Sequence, residues 1–179
     1  MTPRKATPAP DRVAWAVEQV APAPADRILE VGCGPGHAVA LLCPRLLGGT
    51  ITAIDRSALQ VANARERNRA CVAAGRARIE QVTLTDAREV FGPSFSKVFA
   101  VNVNAFWTDP ASSIASLRGL LRVGARGYLI YETPSAAALS KLRNSLPKLL
   151  EAQSFLVDAV RVPDSGSSPM ICVVFQHPR

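Results

Sequence analysis

The sequence predicts a single α/β domain: a seven-stranded, mostly parallel sheet between two layers of helices, with the closing strands antiparallel. Three observations predict it. Strand-like and helix-like stretches alternate along nearly all of the 179 residues, the pattern of a parallel sheet with covering helices. A short apolar strand, a glycine-rich turn and a helix start follow one another over residues 28–37. The last two strand-like segments are joined by only residues 163–169 (PDSGSSP), too few for a crossover helix, so those strands pair antiparallel.

Taken in order, residues 1–10 (MTPRKATPAP) read as a mobile Pro-rich tail, and residues 11–179 as the domain. Asp11 is placed to cap a helix over 12–20, with Val13, Ala16, Val17 and Val20 on one face. The APAPA stretch, 21–25, ends it. Strand 28–31 leads through the turn into a helix over 37–47, stopped by Gly48 and Gly49. Strand 50–55 and a helix over 57–74 follow, the helix capped by Ser57 and closed by Gly75. Strands are expected at 77–84 and 97–103. A helix over 110–121 has Asp109 as cap and Pro110 at its first position, where a missing N–H costs little. Strand 127–131 precedes a helix over 135–150, interrupted or restarted at Pro147. Strands 155–162 and 170–176 close the chain.

Composition narrows the function classes. Hydrophobic residues are 48% and charged residues 20%, near the globular average and outside the disordered and fibrous ranges. No apolar run approaches the 18 or so residues of a membrane span. The first ten residues carry charge without a following apolar region, so no export signal is read and the cytoplasm is the expected compartment. Cys33, Cys43, Cys71 and Cys172 are widely spaced without a C-x-x-C, which reads as buried reduced thiols and no metal site. The net charge is +7, compatible with nucleic acid or an acidic substrate. The densest cations, Arg65, Arg67, Arg69, Arg76 and Arg78, fan around a helix without forming a stripe and read first as a solvated face.

The chemistry sits in Ile28 to His37, ILEVGCGPGH. Its glycines let the backbone turn sharply and approach a ligand, and the following helix presents free N–H groups. The spacing is G-x-G-x-G and departs from G-x-G-x-x-G, because His37 stands where a dinucleotide fingerprint wants a small residue. No Lys-Ser or Lys-Thr follows, which excludes a P-loop. Asp55 ends the next strand, 19 residues beyond Gly36, where a carboxylate can accept from both hydroxyls of a ribose.

These residues, LEVGCGPG (29–36) with AIDRS (53–57), TDA (85–87) and VNVNAFW (101–107), resemble the class I S-adenosylmethionine-dependent methyltransferases. The resemblance spans nearly the whole chain. It implies a Rossmann-like three-layer sandwich whose seven-stranded sheet has an antiparallel last strand. It implies S-adenosyl-L-methionine as cofactor, held around Gly32, Cys33, Gly34, Gly36 and His37. Glu30 would lie under the turn near the cofactor's amino end. Asp55 would hold the ribose, with Arg56 beside the adenine. Asp86 would accept from the adenine amino group and the Ala87 N–H would meet a ring nitrogen. Asn102 and Asn104 would face the methionine end and the acceptor.

No catalytic base is assigned, because a sulfonium is already activated and placement alone supplies much of the acceleration. Trp15, Phe106, Trp107, Tyr131 and Glu132 are the acceptor-site candidates, Tyr131 and Glu132 because ligands gather at that sheet edge. The chain has no evident lid insertion. The N-terminal segment with Trp15, a second subunit of a homodimer, or a large acceptor is therefore expected to close the site. The leading function is methyl transfer to a small molecule. Transfer to RNA or protein, and a non-catalytic cofactor-binding module, are the alternatives.

Overall fold

The computed structural model describes residues 9–163 and 168–179. Nearly all of the expected tail and the middle of the 163–169 linker lie outside the described residues. Seven strands form one sheet: β1 (Arg27–Val31), β2 (Thr50–Asp55), β3 (Ala77–Gln81), β4 (Phe95–Val101), β5 (Leu121–Glu132), β6 (Leu156–Arg161) and β7 (Met170–Gln176). Their order is β3-β2-β1-β4-β5-β7-β6. The first five pair parallel, and β7 runs antiparallel to both β5 and β6. The expected sheet is therefore present, including the antiparallel closing pair.

Period-two alternation sorts the strands into two cores. Ile28, Ile51, Phe99, Ile130 and Val174 face one layer, where α1 (Asp11–Val20), α2 (His37–Leu42) and α3 (Ala58–Arg67) contribute Val17, Val39 and Val61. Leu29, Val98, Leu129 and Val173 face the other, with Leu84, Leu117 and Leu146 from α5 (Leu84–Phe91), α7 (Pro110–Leu120) and α8 (Ala136–Ala152). The sheet order reverses direction between β1 and β4, so the connections leaving their carboxyl ends diverge and leave a crevice there.

Several local expectations are revised. Pro10, not Asp11, takes the N-cap position of α1, and Asp11 is its first residue. The helix after the glycine turn tightens at Cys43–Arg45 into a 3-10 turn. The helix expected over 57–74 is two: Ser57 caps α3 as predicted, but the chain breaks at Asn68 before α4 (Arg69–Ala73). The buried Asn68 amide donates back to the Ala64 carbonyl at 2.8 Å and across to the Gly36 carbonyl at 3.0 Å. Strand β3 stops at Gln81, and the residues read as its end begin α5. Thr83 caps that helix, accepting from the Asp86 N–H at 3.2 Å and donating its hydroxyl to Asp86 Oδ2 at 2.6 Å. A one-turn helix, α6 (Ala105–Thr108), follows β4. Helix α8 runs unbroken through Pro147, because Leu142, Leu146 and Leu150 bury one stripe that outweighs the missing N–H.

Of two side-chain expectations, the reduced thiols are corrected in part, and the solvated arginine face stands, with Arg65, Arg69 and Arg78 exposed. Cys43 and Cys71 form a disulfide joining the end of α2 to α4, and only Cys33 and Cys172 are free, both buried. The clustered arginines are engaged within the chain. Arg65 donates to the Ile79 carbonyl at 2.8 and 2.6 Å, Arg67 to the Pro35 carbonyl at 2.9 Å and Arg76 to the Cys43 carbonyl at 3.4 Å. Arg69 pairs with Glu66 at 3.1 Å and Arg78 with Glu80 at 2.9 Å. No helix among the described residues is long and apolar enough to cross a membrane.

Candidate functional site

The glycine turn hangs from the end of β2. The Gly32 and Cys33 N–H groups both donate to the Ile54 carbonyl, at 2.8 and 3.0 Å. Asp55 then bridges: its Oδ2 accepts from Gly34 N at 2.9 Å and its Oδ1 from Ser57 N at 2.9 Å. The acid thus lies against the turn, as the expected ribose role requires, and fixes the turn's tip to the start of α3. From the outer side, Arg67 holds the Pro35 carbonyl and Asn68 the Gly36 carbonyl.

Gly32, Gly34 and Gly36 all have positive φ, at 69°, 50° and 77°, a region L side chains rarely enter. Their surroundings differ. A Cβ on Gly32 would lie 2.6 Å from Val103 Cγ2, and one on Gly36 2.9 Å from Ala64 Cβ. Gly34 has nothing within 4 Å of that position, so its backbone is bare towards the crevice. Gly36→Ala is accordingly expected to combine backbone strain with overpacking against α3 and to cost about 2–5 kcal/mol. Urea unfolding measures it, and a loss below about 1 kcal/mol would contradict this geometry.

Glu30 lies beneath the turn, fully enclosed, and its Oε2 has no hydrogen-bond partner. Burial, with the nearby Asp55 charge, pushes its carboxyl up to about 8. An unpartnered buried carboxyl is costly in isolation and fits a site that receives a cation. Burial raises the Cys33 thiol as well, and its Sγ–H points to the Gly34 carbonyl at 3.6 Å; Cys33 acts here as turn packing. His37 is the first residue of α2. Burial, then Arg67 and Arg12, lower its imidazole, which leaves it neutral near pH 7. A bare glycine backbone, an adjacent acid able to meet hydroxyls, and an orphaned carboxyl below together fit a ligand with a sugar and a cationic end.

Joined to this turn through Val103, which packs against Gly32, an open cavity of about 470 Å³ lies between the ends of β4 and β5 and helix α8. Asn102, Asn104 and Trp107 line it from the β4 side, and Tyr131 and Glu132 from the end of β5. Trp107 and Tyr131 meet edge to face, ring centroids 5.4 Å apart. Tyr131 OH donates to the Val103 carbonyl at 2.9 Å, and burial raises its phenol above the usual range. Asn102 adopts φ 54°, and its Oδ1 accepts from Glu132 N at 2.8 Å, tying the two strand ends together. Arg12 of α1 reaches Glu132 at 3.3 Å.

Most of the expected site residues converge on these two adjoining features, and three do not serve as expected. Phe106 is fully buried among the core residues under α6 and α7, one residue short of the cavity wall that Trp107 forms. The Ala87 N–H is engaged by the Thr83 carbonyl at 3.0 Å inside α5, so it has no free donor for a ring nitrogen. Trp15 packs against the core on the α1 side, and the cavity is reached from that helix by Arg12 instead. Asp86 is exposed in the first turn of α5, one oxygen held by Thr83, and Arg56 is exposed beside Asp55. Gln81, level with Asp55 in the β2–β3 register, donates to the Arg56 carbonyl at 3.4 Å. Gln81, Arg12, Lys141 and Leu142 were not legible as site residues. The Thr83-x-x-Asp86 capping pattern was the available signal that the strand ends at Gln81.

A model of the methyltransferase domain matches residues 29–126. An uncharacterised protein of Synechococcus is 30% identical over 124 residues, 69% of this chain and 30% of that protein. Trans-aconitate 2-methyltransferase of Paracidovorax citrulli is 44% identical over 43 residues, 24% of this chain and 16% of the enzyme. The matches thus span less than a third of these curated relatives. Among solved structures, the cyclase SpnF superposes with TM-score 0.77 at 15% identity, covering 93% of this chain and 80% of that one. Geranyl diphosphate C-methyltransferase of Streptomyces coelicolor superposes with TM-score 0.72 at 13% identity, covering 92% and 79%. With the glycine turn, its acid and the sheet order all in place, the chain belongs to the methyltransferase-domain family, of the class I, S-adenosyl-L-methionine-dependent fold.

Proposed function

We propose that this chain is a methyltransferase that uses S-adenosyl-L-methionine to methylate a small-molecule acceptor in the cavity beside the glycine turn. The observation that carries the reading is that Val103, between the lining residues Asn102 and Asn104, packs against Gly32 of the Asp55-pinned turn and so joins the turn to a cavity of about 470 Å³, within the 300–1,000 Å³ usual for small-ligand pockets. Relatives named for trans-aconitate and geranyl diphosphate support an acceptor of that size.

When bound, S-adenosyl-L-methionine supplies an activated methyl group. In this reading the bare backbone of Gly34 lies along the cofactor with Gly32, which packs on Val103, beside it, and Cys33, Gly36 and His37 shape the turn. Asp55 accepts from the ribose hydroxyls, Glu30 faces the cationic end, and Asn102 and Asn104 stand between cofactor and acceptor. Trp107 and Tyr131 form the acceptor wall. Among the described lining residues, the Tyr131 hydroxyl is engaged by the Val103 carbonyl and Glu132 is paired with Arg12.

The purified chain is expected to bind S-adenosyl-L-methionine in the micromolar range by calorimetry and to release S-adenosylhomocysteine only when an acceptor is added. No binding at millimolar cofactor would overturn the reading. Binding without turnover across a broad acceptor panel would favour a non-catalytic module. An RNA or protein acceptor draws on the +7 charge, and its test is RNA retention on a filter that weakens with salt.

A further inference from the structure

The cavity's charges and donors are unequal, and the inequality defines an acceptor class. Its lining carries one carboxylate, Glu132, which is already neutralised by Arg12 at 3.3 Å. It carries one cation, Lys141 on α8, which has no ion-pair partner among the described residues. Of the side-chain amide oxygens at the same mouth, that of Asn102 is engaged by the Glu132 N–H at 2.8 Å, and that of Asn104 caps nothing. The hydroxyl groups donate inward, Tyr131 to the Val103 carbonyl at 2.9 Å and Thr133 to the Pro169 carbonyl at 3.1 Å. What remains for a ligand is the exposed ammonium of Lys141, the amide N–H groups of Asn102 and the whole amide of Asn104. The Asn104 amide can donate or accept, whereas the ammonium carries the unpaired charge of the described lining and can only donate. The rest of the wall is apolar: the Trp107–Tyr131 pair and Leu142.

We propose that the acceptor is a small organic acid: Lys141 takes its carboxylate, and its apolar part lies against Trp107 and Tyr131. The proposal rests on the methyltransferase reading and names its substrate class. A lone ammonium in a mostly apolar cavity favours an anion over the isosteric amide, because only the anion makes a charge-assisted contact there. Lys141 is a specificity residue in this account and has no part in holding the cofactor.

The test uses the full chain with S-adenosyl-L-methionine, a panel of aliphatic and aromatic carboxylates, and their primary amides, read as S-adenosylhomocysteine released. Turnover is expected with members of the acid panel and not with the matching amides. Lys141→Met is expected to lower kcat/KM for the acids about 10–100-fold, mainly through KM. Lys141→Arg, which keeps the charge, recovers most of that loss, and the cofactor Kd stays at the wild-type value in both variants. Amides used as well as acids, Lys141→Met without effect, or no acid used by a chain that binds the cofactor would each overturn the proposal. Failure to bind the cofactor at all would instead fault the methyltransferase reading beneath it.

Discussion

Asp55→Ala is expected to raise the Kd for S-adenosyl-L-methionine by at least about 100-fold and to lower stability by about 2–4 kcal/mol. Both effects come from one carboxylate. In the folded chain it accepts from Gly34 N and Ser57 N, each at 2.9 Å, and hydrogen bonds to a charged group contribute about 1.5–3 kcal/mol each. Asp55 is half-exposed, so the lower part of that range applies. Removing it releases the tip of the turn from α3 and removes the proposed ribose acceptor. Asp55→Asn separates the two roles. A single amide oxygen can still hold Gly34 N while the amide NH2 loses the Ser57 N–H bond, so no more than about half of the lost stability is expected to return and cofactor affinity remains poor. Calorimetry with the cofactor and urea unfolding of the free protein give the two numbers. Undiminished affinity in Asp55→Ala would remove the ribose role.

The second large effect is a pH dependence centred on Glu30. Burial and the Asp55 charge raise its carboxyl from 4.5 to about 8 in the folded chain. The folded protein therefore holds a proton that the unfolded chain releases. This contribution to stability is fully present below about pH 4.5 and is lost as the pH rises through about 8. Its size across that window is on the order of a few kcal/mol. Glu30→Gln has no such proton to lose. The variant is expected to match the wild type near pH 5 and to be the more stable of the two at pH 8–9. Urea unfolding of the cofactor-free proteins over that range is the measurement, and parallel profiles would refute the assignment. His37, whose imidazole is held low, contributes with opposite sign but equally in both proteins, so it cancels in the difference. A cation brought close to Glu30 favours its charged form. Cofactor binding near pH 7 is thus expected to release a proton, seen as a heat that varies with the buffer.

Much of the architecture was written locally. Strand β2 and strand β7 were read at their observed limits, because each is a β-branched run between clear breakers. The glycine turn was legible for a similar reason: only glycine tolerates three positive φ angles within five residues. Strand β3 was overrun because Val82 and Leu84 continue an apolar pattern, and only the Thr83 cap marks the change. The break at Asn68 depends on a carbonyl 32 residues away, which no local pattern reports. The same limit applies to the site. Asp55 announced itself by its spacing along one βαβ unit, and Glu30 by the family resemblance of the turn it precedes. Arg12 and Lys141 reach the cavity from helices separated by more than a hundred residues, so only the assembled layers bring them together. Phe106 and Trp107 are adjacent in sequence, and the short α6 turn decides which one is core and which one is wall.

The arginines around the glycine turn bear on how the site responds to salt. Dissolved ions screen an exposed pair such as Arg69–Glu66. They act far less on a guanidinium seated on an uncharged peptide oxygen, as Arg67 is on Pro35 and Arg65 on Ile79. The collar gripping the loop is therefore expected to hold in concentrated brine, even while the basic exterior loses its long-range field.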